Sequence, residues 1–184
     1  MKVKLRRTNN EDIDSIYELH AKCFIATDQW YKSAIKNYLD TGFVITAEEN
    51  TKVIGVLLQG TMIPCTSTSK FHEELDSEYK EDIFEPVSDN GHLFMKNKLQ
   101  YTSIKGIVMI CIDPEFRGKG LGKKLIDRHF KANSNQVVCL NTRRSNINAY
   151  NLYKKMGYEH IAFIKNKYFL PNEDSIFMIK DLTE

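Results

Sequence analysis

The residues best suited to holding an anion in this chain are Arg117-Gly118-Lys119-Gly120-Leu121-Gly122-Lys123-Lys124. Glycines this closely spaced let the backbone turn through conformations closed to other residues and approach a ligand. The apolar run Ile107 to Ile112 precedes them, and Leu121 to Phe130 follows with Leu121, Leu125, Ile126, His129 and Phe130 on one helical face. A turn from strand to helix of this kind aims successive N–H groups and a helix N-terminus at one point, which suits phosphate. Lys119, Lys123 and Lys124 add positive charge for further phosphate contacts. Spacing excludes two commoner phosphate loops. A Walker A loop begun at Gly118 needs its second glycine where Lys123 stands, and a dinucleotide fingerprint needs glycine at Lys123 or Leu125. The bland alternative is a flexible turn with solvated lysines.

A second set of residues recurs at helical spacing. Asn146, Tyr150, Tyr153 and Gly157 share one face of a helix expected over 145–156, with Gly157 stopping it in the C′ position. Asn146 starts that helix and can offer its side-chain amide, while Tyr153 presents a phenol from mid-stripe or, alternatively, is a core aromatic with a satisfied hydroxyl. Other chemistry is thinly represented. Cys23, Cys65, Cys111 and Cys139 are scattered, without a C-x-x-C pair, and Cys111 and Cys139 sit in apolar runs as small core hydrophobes. His20, His72, His92, His129 and His160 are equally dispersed, so no metal site is readable.

The two motifs together resemble the GCN5-related N-acetyltransferase (GNAT) family. Its acetyl-coenzyme A signature, [RQ]-x-x-G-x-[GA], is met by Arg117, Gly120 and Gly122, after Ile110-Cys111-Ile112-Asp113-Pro114 as the strand end leading into it. Its second hallmark, S-N-x-x-A-x-x-L-Y-x-x-x-G-[FY], runs complete from Ser145 through Asn146, Ala149, Leu152 and Tyr153 to Gly157-Tyr158. The resemblance implies acetyl transfer from acetyl-CoA to a primary amine by direct attack, with acetyl-CoA as co-substrate and no metal. It places the pantetheine arm along Ile110, Cys111 and Ile112, the oxyanion on the Ile112 N–H, and the pyrophosphate on the N–H groups of Gly118 to Gly122. Arg117, Lys119, Leu121, Lys123, Asn146 and Ala149 complete the coenzyme contacts. Tyr153 is the candidate acid for the departing thiolate.

Within the family the chain looks most like protein N-terminal acetyltransferases. Phe24, Ile25, Trp30 and Tyr31 lie in a stretch resembling the first-helix loop that meets a substrate's N-terminal residue, and Tyr168, in Lys165 to Phe169, resembles the hairpin that clamps its backbone. Neither of two bases found in some eukaryotic members is kept: Asn141 stands where they carry His, and Lys105 or Gly106 where they carry Tyr. Tyr101 or a carboxylate of the insertion at about 61–103 are candidate substitutes. The acidic residues Glu73, Glu74, Asp76, Glu78, Glu81, Asp82 and Glu85 suggest a rival acceptor, a polycation such as a polyamine or aminoglycoside, or else a solvated face. An inert acyl-CoA-binding regulatory module is the reading from another class.

The elements that must position these residues form an α/β pattern. Strands are expected at 3–7, 43–47, 53–59, 104–112, 136–140, 158–164 and 175–179, with helices to about Cys23, over 28–39, over 121–130 and over 145–156. Gly55 is expected at a bulge or a close approach. The expectation is a single GNAT-type domain over 1–184, a mixed sheet of about seven strands flanked by about four helices, with an insertion at about 61–103 between the third and fourth strands that includes a short helix. With 42% hydrophobic and 27% charged residues, the 184-residue chain is neither collagenous nor disordered, and its length suits one domain. A net charge of +2 gives no support to nucleic-acid binding. No apolar run is long enough to span a membrane and the basic N-terminus lacks a following apolar segment, so a cytoplasmic protein is expected, and the family resemblance implies a monomer or homodimer.

Overall fold

Alternating and β-branched segments become strands, and segments of helical period become helices, throughout residues 2–62, 84–87, 104–169 and 172–183, which the computed structural model describes. Strands are β1 (Lys4–Arg7), β2 (Phe43–Glu49), β3 (Lys52–Met62), β4 (Phe84–Pro86), β5 (Ile104–Ile112), β6 (Val137–Arg143), β7 (Glu159–Phe169) and β8 (Asn172–Asp181). Helices are α1 (Ile13–Cys23), α2 (Lys32–Thr41), α3 (Leu121–Ala132) and α4 (Ile147–Lys155). They fall into two units, one of Met1–Gly60, Lys105–Gln136 and Asp181–Glu184, the other of Thr61–Ile104 and Val137–Lys180.

In the first unit the strand order is β1-β2-β3-β5. β1 pairs antiparallel with β2, and β2 with β3. Ala47 faces Gly55 while Glu48 faces Val53, so the expected bulge is present, with Ile54 as the extra residue. The close approach is present too. A Cβ on Gly55 would lie 3.3 Å from a Leu121 methyl and 3.4 Å from the Cys111 carbonyl oxygen, so this glycine lets β3 press against β5 and α3. Arg6 of β1 binds both carboxylate oxygens of Asp12 at 2.6 Å and Glu48 at 2.7 Å, and Asp12 also accepts the Asn9 N–H at 2.9 Å. The hydrogen-bonded Arg6 guanidinium holds the Asp12 carboxyl below its ordinary value, and the charged group fixes the start of α1 beside the β1–β2 pair.

Helix α2 starts later than expected, at Lys32, not Asp28. The Gln29 amide donates to the Ala21 and Phe24 carbonyls at 3.3 and 3.2 Å, and Trp30 stacks on Tyr38 at 5.4 Å, so residues 29–31 stay extended. Ile16, Leu19 and Ile35 bring the helices onto Val44, Val56, Leu58 and Met109 of the strands.

A buried polar group joins α3 to β3. His129 Nδ1 lies 2.9 Å from Gln59 Oε1, and Asn133 Nδ2 donates to the same oxygen at 2.7 Å. That oxygen only accepts, so Nδ1 carries the proton and Nε2 is left as a buried lone pair with no partner among the described residues. Burial pulls the His129 pKa down to about 4. A depressed histidine contributes stability that is whole above the unfolded value near 6.5 and is lost as pH falls toward 4. Denaturant unfolding at pH 7.5 and 5.0 should therefore show stability falling by about 2 kcal/mol from this group, the cost of 1.5 pH units below the unfolded value. His129→Gln should flatten the fall; an unchanged pH dependence in that variant would assign it elsewhere.

In the second unit the order is β6-β8-β7-β4. β7 pairs antiparallel with β8 through two register slips, and with β4, where Phe84 faces Ile164. Both long strands outrun their expected ends because their hairpin continues the ladder to the pair Phe169 and Asn172. Cys139, Ile161, Ile164 and Phe177 form the core. Burial pushes the Cys139 thiol up to about 12, so it behaves as the small hydrophobe expected. Among the described residues, β4 is the one element within 61–103 beyond the end of β3. The remaining insertion, including the expected short helix, Tyr101 and the acidic side chains Glu73 to Glu85, lies outside the described residues.

Candidate active site

On the first unit, the end of β5 and the glycine turn are tied together at one carbonyl. Asp113 caps the short turn Pro114–Phe116 by accepting the Glu115 N–H at 3.2 Å, which reverses the chain after the strand. Arg117 then reaches back and donates Nε–H to the Ile112 carbonyl at 3.1 Å. This gives the first signature position a physical role: it straps the turn to the strand end. Ile110 and Ile112 are half-buried and Cys111 is buried, so the strand offers its backbone and not an open side-chain surface.

Gly118 and Gly120 have φ of 73° and 75°, the left-handed region. A Cβ built on either meets nothing within 4 Å, so conformation, not crowding, demands glycine there. Gly120 is also the N-cap of α3 and has no side chain to cap it. The first intrahelical bond noted at this end runs from the Lys124 N–H to the Gly120 carbonyl at 3.2 Å. The N–H groups of Leu121, Gly122 and Lys123 precede Lys124, the first donor of the helical ladder, as at any α-helix start. With the positive end of the dipole, these are the donors that the spacing suggested for an anion. Lys119 is partly engaged, donating to the Glu115 carbonyl at 2.9 Å with its ammonium 5.0 Å from the Phe116 ring centre; Lys123 and Lys124 are exposed.

On the second unit, Asn146 is the N-cap of α4, and its Oδ1 accepts the Ala149 N–H at 3.2 Å. Its side-chain oxygen is thus spent on the helix, leaving the amide donors for any other contact. The far end of α4 closes in a Schellman motif: the Gly157 N–H binds the Lys154 carbonyl and the Tyr158 N–H binds the Tyr153 carbonyl, both at 3.0 Å, with Gly157 at φ 83°. The apolar contact that accompanies this motif joins Tyr153 to Tyr158, whose rings meet edge-on at 5.9 Å. Tyr153 is 4% exposed. The spacing of Tyr153, Gly157 and Tyr158 is therefore that of a helix stop which also seats a phenol. Asn141 buries its Oδ1 with no partner among the described residues.

The candidate acceptor residues divide by exposure. Phe24 is half-buried, stacked on His20 at 4.6 Å, and Trp30 is half-buried against Tyr38. Ile25 and Tyr31 are open, at 51% and 85% exposure. Tyr168 has its backbone in β7, paired with Glu173, and its side chain lies outside what is described. The first unit thus brings the β5 end, the glycine turn and the end of α1 to one place, while Asn146, Ala149 and Tyr153 gather on the second. Reading the sequence missed Cys23, whose Sγ lies 3.3 Å from the same Ile112 oxygen that Arg117 binds. Its position three and four residues after His20 and Leu19 puts it on the buried face of α1, but nothing local indicates its partner on β5. Among the described residues no group of His, Cys, Asp and Glu could hold a metal, and no helix is long and apolar enough to cross a membrane.

Comparison with known proteins agrees with these motifs. The family model for acetyltransferase (GNAT) domains matches residues 85–160. A Bacillus subtilis (strain 168) protein, provisionally named as a ribosomal protein bS18 alanine N-acetyltransferase, is 25% identical, with 100% of this chain and 98% of that protein covered. N-alpha-acetyltransferase RimI of Mycobacterium tuberculosis is 21% identical over 92% of this chain and 87% of its own. Among solved structures, Arabidopsis thaliana NAA60 in complex with acetyl-CoA superposes with a TM-score of 0.70 at 16% identity, covering 98% of this chain and 99% of that one. The fold expected from the sequence is borne out, and acetyl-CoA is the co-substrate. Residues 85–160 thus match the GNAT acetyltransferase domain, and the chain is an acetyl-CoA-dependent N-acetyltransferase that transfers acetyl to an amine.

Proposed function

We propose that the acceptor is the α-amine of a protein N-terminus, taken up by direct attack on the thioester. The observation that carries this reading is the pairing of relatives named as a bS18 alanine N-acetyltransferase and an N-alpha-acetyltransferase with an α1–α2 connection that exposes Ile25 and Tyr31. Chemistry supports it. The attacking amine must be neutral, and an α-amine with a reference pKa near 8 is roughly a quarter neutral at pH 7.5, against about 0.1% for a lysine-type amine. A site that keeps neither familiar base, having Asn141 and Lys105 or Gly106 at those positions, suits the acceptor that gives up its proton more easily.

In this mechanism the pyrophosphate rests on the Gly118 to Gly122 turn and the α3 N-terminus, with Arg117 keeping the turn in place and Lys123 adding charge. Ile110, Cys111 and Ile112 offer backbone groups to the pantetheine arm, and the Ile112 N–H receives the developing oxyanion. Asn146 and Ala149 contribute from the start of α4. Tyr153 gives its proton to the departing thiolate. Phe24, Ile25, Trp30, Tyr31 and Tyr168 receive the peptide. The protein works as one acetyltransferase domain in the cytoplasm.

The test is free-thiol release from acetyl-CoA with peptides of varied N-termini, polyamines and aminoglycosides. Turnover is expected with peptides bearing a free α-amine and not with the same peptides blocked. Tyr31→Ala should raise the peptide KM about tenfold with kcat within about twofold, the pattern of lost uniform binding. Turnover confined to polycations would overturn the acceptor assignment while leaving the donor half of the site intact.

A further inference from the structure

Cys23 lies against the Ile112 carbonyl and packs on the core that contains Cys111, and the acetyl-transfer chemistry uses neither side chain. Cys23 is the last residue of α1 and is half-buried; Cys111, on β5, is buried in the core against which Cys23 packs. Both are free thiols, and their side chains interact. As a thiol Cys23 donates to the Ile112 oxygen at 3.3 Å, the acceptor that also takes the Arg117 Nε–H. As a thiolate it accepts the Cys111 S–H and faces the Arg117 guanidinium. These two neighbours outweigh the opposing effect of burial and bring Cys23 down to about 6, whereas Cys111 is raised by that same bond and by its burial. One member of the pair is thus an attacking sulfur at neutral pH and the other a protonated partner within reach.

We propose that Cys23 and Cys111 are a peroxide-responsive pair whose reversible disulfide ties the end of α1 to β5 and halts acetyl transfer. In the first step the Cys23 thiolate attacks one oxygen of a hydroperoxide, breaking the O–O bond; with one proton taken up, sulfenic acid and water (or an alcohol) result. In the second, the Cys111 sulfur attacks the Cys23 sulfenic sulfur, the S–S bond forms, and the Cys111 proton leaves with the hydroxyl as water. Overall two thiols are oxidised and one peroxide is reduced. A thiol restores the pair by exchange. The disulfide fixes the two sulfurs about 2.05 Å apart and so locks the end of α1 to β5. It also ties up the Cys23 sulfur that lies against the Ile112 carbonyl, next to the N–H assigned to the oxyanion. The cross-link stands apart from the proposed mechanism; its effect on transfer rests on the β5 end being the donor site.

The experiment treats the reduced full-length protein with hydrogen peroxide and follows non-reducing peptide maps, free thiols and thiol release from acetyl-CoA. The expected map carries a Cys23–Cys111 cross-linked peptide, two fewer of the four thiols, and acetyl transfer reduced at least tenfold, all restored by dithiothreitol. Cys23→Ser should form no such cross-link and should keep its own untreated rate. A second readout, alkylation of Cys23 by iodoacetamide against pH, does not depend on any variant folding. A thiolate near pH 6 is roughly 30-fold more populated at pH 7 than one at 8.5, but its lower nucleophilicity cuts the rate gain to about twofold. The shape of the profile is therefore the signature, with a plateau reached by about pH 7. No cross-link in the wild type, a profile still rising above pH 8, or a complete cross-link with transfer unchanged would each overturn the proposal.

Discussion

Replacing Gly120 by Glu should weaken acetyl-CoA binding by roughly 100-fold or more while the fold survives. Gly120 sits at φ 75° as the N-cap of α3, with open space where a Cβ would go. A side chain is thus not excluded by contact, and the damage comes from two other sources. A non-glycine residue held in the left-handed region costs about 1–2 kcal/mol. A carboxylate planted among donors proposed to hold the pyrophosphate adds repulsion of about the same size, and some 3 kcal/mol together is about two orders of magnitude in affinity. Gly120→Ala carries the strain without the charge and should lose about tenfold or less. Titration calorimetry with acetyl-CoA on both variants, beside their melting curves, separates the two causes. Equal losses for Ala and Glu would mean the glycine turn does not hold the phosphates.

The second large effect is expected for Tyr153→Phe: turnover lower by about 100-fold or more, with acetyl-CoA affinity nearly kept. Tyr153 is almost wholly buried, and its ring is gripped edge-on by Tyr158, so Phe fills the same volume and removes only the hydroxyl. Loss of a proton donor to a thiolate appears in kcat, and it is felt most where no solvent acid can replace it. Single-turnover thiol release across pH 6 to 9 is the measurement. A variant matching the wild type throughout that range would show that Tyr153 is a core aromatic and not the acid.

What could be read from the chain beforehand was whatever depends on short stretches. The glycine turn declares itself because strand, left-handed turn and helix start are consecutive, and Gly118 and Gly120 do take the left-handed conformation their type permits. Gly157 likewise stops α4 where its spacing from Ala149 and Tyr153 says it must. Residues 29–31 were read as helix because Trp30, Ile35, Tyr38 and Leu39 fit the period; the Gln29 amide, reaching back to carbonyls of α1 and its cap, decided otherwise. The pairing of Cys23 with Cys111 was illegible for the same reason on a larger scale. It joins residues 88 positions apart, and each cysteine read alone is an ordinary core hydrophobe. Strand β4, three residues held by its partner β7, carries no periodic signal of its own.

The way α4 ends has a wider meaning for how this enzyme tolerates change. Because the carbonyl of Tyr153 is one of the two acceptors that close the Schellman motif, and its ring the apolar partner of Tyr158, the phenol and the helix stop are a single mechanical part. Any residue but glycine at position 157 must hold φ near 83°, and a side chain there would also displace the Lys180 ammonium, 2.6 Å from the Cβ position. Drift at this surface turn is accordingly transmitted to the buried ring one turn away. A position that looks like a spacer is one whose neutral alternatives are nearly absent, so laboratory evolution toward new acceptors has room in the exposed α1–α2 connection and very little at the end of α4.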